Sequence, residues 1–186
     1  MTPLSYLLIP SRFGDFAILW RDTSIGPRVQ RVLMPQNDVR TVEVAKGEWG
    51  AGPSAVPAIT ELGDRLETFL AGHEVRFRLD LLLLKQCSEF QRRVLWAEYG
   101  IRRGWVSTYG RIARHLGIPR GAQAVGKALA HNPFPIIIPC HRAIASNGSL
   151  GGYQGGSEMK RALLEMEGVT FGKDGRVQVK QFYYDE

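Results

Sequence analysis

The chain has 186 residues, 44% hydrophobic and 23% charged, with a formal net charge of +6 and two cysteines. That composition belongs to an ordinary globular protein of one domain or two small ones. It excludes a disulfide-built scaffold and a cysteine metal quartet, no apolar run reaches the length of a membrane span, and the amino-terminal stretch lacks the basic region of a secretory signal.

The positive charge is unevenly placed. Residues 1–84 carry 9 Lys and Arg against 10 Asp and Glu, whereas residues 85–186 carry 15 against 8. A basic excess confined to one half suggests a polyanionic partner for that half.

Residues 4–9, 15–20 and 29–34 group or alternate apolar side chains between Gly, Pro and Asp punctuation, and read as short strands of a small sheet. Residues 35–56, rich in Gly, Pro, Ala and Ser, read as loop with one strand near residues 41–44. From Pro57 onward, Ile59, Leu62, Leu66, Phe69 and Leu70 fall at helical spacing, with Gly72 as the stop. Residues 74–84 read as another strand. Together these predict an α/β domain over residues 1–84 (a small sheet plus helix) with a supporting role. A linker at residues 85–89 follows, where Cys87 reads as an incidental thiol.

Ser88 suits the N-cap of a helix that has Phe90, Val94 and Leu95 on its apolar side and ends near Gly100. Residues 108–116 predict a second helix, capped by Thr108 or Ser107. Residues 117–120 form a tight turn, and residues 121–131 a third helix with Val125 and Leu129 facing inward. Helix, short turn, helix is the helix-turn-helix pattern. The small residues of the third helix, among them Ala122, Ala124 and Gly126, let its backbone approach another surface closely. The fold expected of residues 85–186 is therefore a mainly α domain with a (winged) helix-turn-helix, suited to nucleic acid.

Pro135 and the three isoleucines after it read as a buried strand, ended by Pro139. Cys140, His141 and Arg142 follow at once. The thiolate is the nucleophile, and an ordinary thiol with a pKa near 8.5 is only a few per cent ionised at neutral pH. A neighbouring imidazole can take its proton, and a guanidinium favours the anion. Adjacent residues of an extended chain point to opposite faces, so His141 is expected to reach Cys140 through a bend or a water molecule. From the pair alone, a buried structural cysteine stays open as the other reading. The glycine-rich loop at residues 146–156 lacks the strand–GxGxxG–helix context of a nucleotide fingerprint. Ser157 is expected to cap a last helix that stops at Gly168, with Glu167 at its carboxyl end, where the helix dipole disfavours negative charge. Residues 176–182 alternate as a terminal strand.

The stretch Asn132-Pro133-Phe134-Pro135, the isoleucine run, and Pro139-Cys140-His141-Arg142 closely resembles the active-site signature of the O6-alkylguanine-DNA alkyltransferases. The similarity continues upstream through Phe90-Gln91, Ser107-Thr108-Tyr109-Gly110 and Ala124-Val125-Gly126, and downstream through Gly148, Gly151, Tyr153, Gly155 and Gly156 to Glu167-Gly168. The resemblance implies DNA repair in which Cys140 takes the alkyl group of a flipped-out guanine in double-stranded DNA and keeps it. The alternative it leaves is a relative that binds the lesion without repairing it.

By the same resemblance Glu167 orients His141, His141 accepts the Cys140 proton, and Tyr109 donates to the departing guanine. Asn132 braces the turn before the reactive cysteine. The carbonyls of Cys140 and Ala143 accept from the exocyclic amine. Tyr153 and Gln154 lie against the base, Pro135, Leu129 and Tyr153 form apolar walls, and Arg142 holds the pocket wall or the two domains. The helix at residues 121–131 would enter the minor groove, with Thr108, Arg120, Ala122, Gln123, Gly126 and Lys127 at the DNA. The family carries an arginine where this chain has Gln123, which implies weaker binding or slower base flipping here. No metal, organic cofactor or membrane is implied. The expected protein is a monomer of the cytoplasm, whose reducing conditions suit a free nucleophilic thiol.

Overall fold

The computed structural model describes residues 2–36 and 39–185. The chain forms two compact units, one of Met1–Leu84 with Pro133–Ile137, the other of Lys85–Asn132 with Ile138–Glu186.

In the first unit, strands β1 (Ser5–Ile9), β2 (Phe16–Thr23) and β3 (Gly26–Leu33) make an antiparallel meander. Helix α1 (Thr41–Gly47) leads to the two-residue strand β4 (Gly52–Pro53), which adds to β1 in parallel, giving the order β3-β2-β1-β4. Helix α2 (Pro57–Leu70) begins with Pro57 in its first turn, where no backbone donor is lost. Side chains alternate across a strand, and here both faces are covered. Tyr6 and Leu8 lie with Leu19 in the cluster that α1 completes through Ala45 and Val42. Leu7 and Ile9 face α2, whose Gly63 comes so close that a Cβ there would sit 2.9 Å from Leu7 Cδ2. Burial on both faces explains why five successive residues of β2, Phe16 to Trp20, are all buried.

Three expectations are corrected in this unit. Residues 41–44 are helical, not a strand: Thr41 and Ala45, one turn apart, both bury against the sheet, and that packing overrides the β preference of Thr and Val. Residues 74–84 form no strand. A turn from Leu79 O to Leu82 N–H interrupts them, and only Leu82 bridges to Val29 of β3. The isoleucine run is not a strand either. Ile136 has φ +71, outside any extended region, and the Pro133 carbonyl accepts from Val32 N–H of β3. The run is apolar because it is enclosed: Phe134, Ile136, Ile137 and Ile138 are all buried.

The second unit starts with α3 (Glu89–Gly100), capped by Ser88, whose hydroxyl accepts from Gln91 N–H at 3.2 Å. Strand β5 (Ser107–Thr108) pairs in parallel with β6 (Ala143–Ile144). Thr108 caps α4 (Tyr109–His115) by accepting from Arg111 N–H. Residues 116–121 connect it to α5 (Ala122–Ala130), which packs on both α3 and α4. Helix α6 (Gly156–Met166) is N-capped by Gly155 without a side-chain bond, so Ser157 lies inside the helix and does not cap it. Gly168, at φ +93, takes the left-handed conformation that ends it. Of the strand expected at residues 176–182, only β8 (Val177–Gln178) forms, paired with β7 (Thr170–Phe171). Val106, Ile144, Leu164, Val169 and Val177 make a core beneath these elements. Among the described residues, no helix is long and apolar enough to cross a membrane.

Candidate active site

Cys140–Arg142 is a single 3-10 turn between Pro139 and β6, closed by Arg142 N–H on Pro139 O at 2.8 Å. Three residues per turn send successive side chains about 120° apart, so Cys140, His141 and Arg142 diverge. Cys140, only 5% exposed, reaches the wall of a cavity of about 460 Å³, large enough for a small organic group. Tyr109, Leu129 and Tyr153 line the same cavity, as do Gln154 and, from α5, Ala122, Gln123 and Gly126.

His141 and Arg142 turn to Glu167. His141 Nε2 lies 3.0 Å from Glu167 Oε1, and Arg142 donates through Nε to Oε2 at 2.9 Å and through a terminal nitrogen to Oε1 at 2.8 Å. Its other terminal nitrogen donates to Ile101 O at 2.6 Å. A carboxylate at the carboxyl end of a helix is misplaced with respect to the dipole, and this buried two-pronged guanidinium pair offsets that. Burial alone would raise the Glu167 pKa, but His141 and Arg142 hold it at about 2. Burial pushes the His141 pKa down, against the pull of Glu167. His141 is thus neutral; with Nε2–H donating to Glu167, Nδ1 is the ring nitrogen that carries the basic lone pair.

Burial raises the Cys140 thiol to about 12. A hydrogen bond from the Asn132 side chain favours the anion, Glu98 opposes it, and Lys160 favours it. At rest the sulfur is therefore a thiol, and the thiolate forms only when its proton passes to a base. Asn132 also donates to Ile138 O at 3.0 Å, which braces the chain just before the cysteine. Tyr109 is likewise pushed up to about 12, by burial and then by Glu98 and Cys140, so its phenol keeps its proton. Its ring lies against Gly151, where a Cβ would sit 2.8 Å from the hydroxyl at a backbone φ of +69.

The structure brings Cys140, Tyr109, Leu129, Tyr153 and Gln154 onto one cavity, with Ala122, Gln123 and Gly126 of α5, and joins His141 to Glu167 and Asn132 to Ile138 O beside the cysteine. Pro135 falls in the first unit. The Ala143 carbonyl, expected to face substrate, accepts from Lys160 Nζ at 2.7 Å. Gln154 donates to Ala130 O and Asn132 O, pinning its loop to the end of α5. Gln123, Lys127 and Arg120 are exposed; Thr108 is buried, and its hydroxyl accepts from Arg111 N–H as the helix cap. Arg142 is the counter-ion of Glu167 and also donates to Ile101 O.

Two buried charges escaped the sequence reading. Lys160, fully buried on α6, donates to the carbonyls of Ala143, Leu150 and, at 3.5 Å, Gly152, with its nitrogen 5.9 Å from the ring centres of both Tyr109 and Tyr153. Glu98, fully buried on α3, makes no well-formed side-chain hydrogen bond. A signal existed for both. Lys160 shares the helical face of Leu163, Leu164 and Glu167, and Glu98 that of Val94 and Leu95, so each is a charge at an inward-facing position.

Comparison with known proteins bears on what such a site does. Residues 89–169 match the family model described as the 6-O-methylguanine DNA methyltransferase DNA-binding domain. The methylated-DNA–protein-cysteine methyltransferase of Methanothermobacter thermautotrophicus is 51% identical over 114 residues, 61% of this chain and 63% of that protein. That of Mycolicibacterium paratuberculosis is 41% identical over 164 residues, 88% of this chain and 92% of its own. In three dimensions the chain is similar to the Mycobacterium tuberculosis OGT crystallised in complex with DNA, with a TM-score of 0.70, 35% identity, and coverage of 88% of this chain and 92% of that one. On the strength of this long shared stretch, the chain belongs to the methylated-DNA–protein-cysteine methyltransferase family.

Proposed function

We propose that this protein repairs DNA by moving an alkyl group from O6 of guanine in duplex DNA onto Cys140, once per molecule. The observation that carries the reading is a buried thiol on a cavity of about 460 Å³, followed in the chain by a neutral His141 whose Nε2 is held by Glu167, itself paired with Arg142. Nδ1 of His141 accepts the Cys140 proton, directly or through water. Sulfur then forms its bond to the alkyl carbon as the bond from that carbon to O6 breaks, and the electron pair leaves with the guanine. The Tyr109 phenol, protonated at rest, passes its proton to the departing base, which leaves neutral, and the tyrosinate that forms is balanced by the imidazolium of His141. A thioether has no hydrolytic exit, so the protein is consumed.

The DNA partner fits the basic second half of the chain and the exposed face of α5 that carries Gln123 and Lys127. Helices α4 and α5 serve as the helix-turn-helix, with α5 against the minor groove, where a side chain at residue 123 takes the place of the extruded base. The test is intact-protein mass after incubation with a duplex carrying O6-methylguanine. A gain of one methylene per protein, saturating at one equivalent, is expected. Tight binding to the duplex without any mass gain would make the protein a lesion reader instead.

A further inference from the structure

Glu98 is the buried charge that this mechanism does not use. Its carboxyl has no solvent exposure and neither oxygen makes a well-formed hydrogen bond, a costly arrangement for a group that is to stay ionised. It sits on α3, which packs directly on the 3-10 turn of Cys140. The charged and titratable groups acting on it, or feeling it, come from every neighbouring element: Lys160 from α6, Arg142 and Cys140 from the turn, Tyr109 from α4, and Tyr184 from the carboxyl-terminal segment. Lys160, donating to three carbonyls, has the donor count of an ammonium.

We propose that Glu98 is a positioning residue that sets the charge around Cys140. Uncharged, it places no charge against the sulfur; charged, it repels the thiolate and damps Cys140 on the alkaline side. Burial raises the Glu98 carboxyl to about 8, against the pull of Lys160 and Arg142 and of the Ala143 backbone amide. Burial also lowers Lys160 to about 8, opposed by Cys140 and Glu98. The two change charge in the same range, close to the pH at which the protein must work.

The inference rests on Cys140 being the reactive group, and its test does not need DNA. The rate at which iodoacetamide alkylates Cys140 in the full-length protein, located by peptide mass, is measured from about pH 6 to about pH 9.5 for the wild type and for Glu98→Gln. The ratio of variant to wild type should be near one at the acid end. It should rise by about threefold at the alkaline end, the effect of half a unit in the thiol pKa. In a Lys160→Met background Glu98 loses a cation that favours its ionisation, and the rise should move to higher pH. Glu98→Leu, which needs no hydrogen-bond partner, should behave as Gln does and covers the case in which Gln folds poorly. A ratio that stays constant with pH, above or below one, would mean that Glu98 only fills space and would overturn the proposal. The same pH dependence should appear in transfer from O6-methylguanine duplex. If the iodoacetamide ratio rises and no transfer occurs, the repair reading fails and the Glu98 inference stands.

Discussion

Replacing Glu167 by Gln removes one charge from a closed set of three buried side chains. The carboxylate accepts from His141 and twice from Arg142, and a Gln amide in its place offers one oxygen and a nitrogen that faces donors. Leaving Arg142 buried without its counter-ion costs about 3–5 kcal/mol, and the lower end, about 3 kcal/mol, is the loss expected here. With a urea dependence of about 2 kcal/mol per molar, the unfolding midpoint of the variant should fall by about 1.5 M at neutral pH. Because the folded pKa lies below the unfolded one, the contribution is complete above pH 4.5 and is lost as pH falls towards about 2. The gap between wild type and Glu167→Gln should therefore narrow through that window. Alkyl transfer should slow by about 10² or more, as His141 loses its fixed tautomer. A variant within about 0.5 kcal/mol of the wild type at neutral pH, or a gap that ignores acidification, would refute the claim that this carboxylate holds the site together.

Gln123→Arg should tighten binding to duplex DNA and speed transfer, since it adds a positive charge to the exposed face of α5 proposed to meet the DNA; equal affinity and rate, measured by titration and single-turnover mass, would remove residue 123 from the account. Gly151→Ala puts a methyl group 2.8 Å from the Tyr109 hydroxyl at a positive φ. It should cost about 1–3 kcal/mol in thermal or urea unfolding and slow transfer by displacing the tyrosine; an unchanged midpoint and rate would show that the loop yields freely.

The helices were the legible part of this chain. Ser88 and Thr108 announce α3 and α4 as caps, Pro57 and Gly72 bracket α2, and the apolar spacing read for α2 survives in the packed structure. What misled were short apolar or β-branched runs, which periodicity cannot assign. Residues 41–44 became a helix because Thr41 and Ala45 fit one face of the sheet, and residues 135–138 became an enclosed irregular turn because their burial comes from neighbours on all sides. Cys140, His141 and Glu167 were readable through a resemblance, but their geometry was not. Thiol and imidazole sit together on a 3-10 turn, not at a strand end. Arg142 was visible as a charge beside the cysteine, yet its pairing with Glu167, 25 residues away, is a tertiary fact. Lys160 and Glu98 carried a signal that only a search for charges on apolar faces would have raised.

The central claim is that one sulfur, the one on the cavity wall, receives the alkyl group. Peptide mapping of the protein after reaction with a duplex carrying isotope-labelled O6-methylguanine tests it most directly. The label should be found on the peptide containing Cys140, with Cys87 unmodified and Cys140→Ser unlabelled. Label on Cys87, or on no residue while the duplex is still bound, would contradict the account.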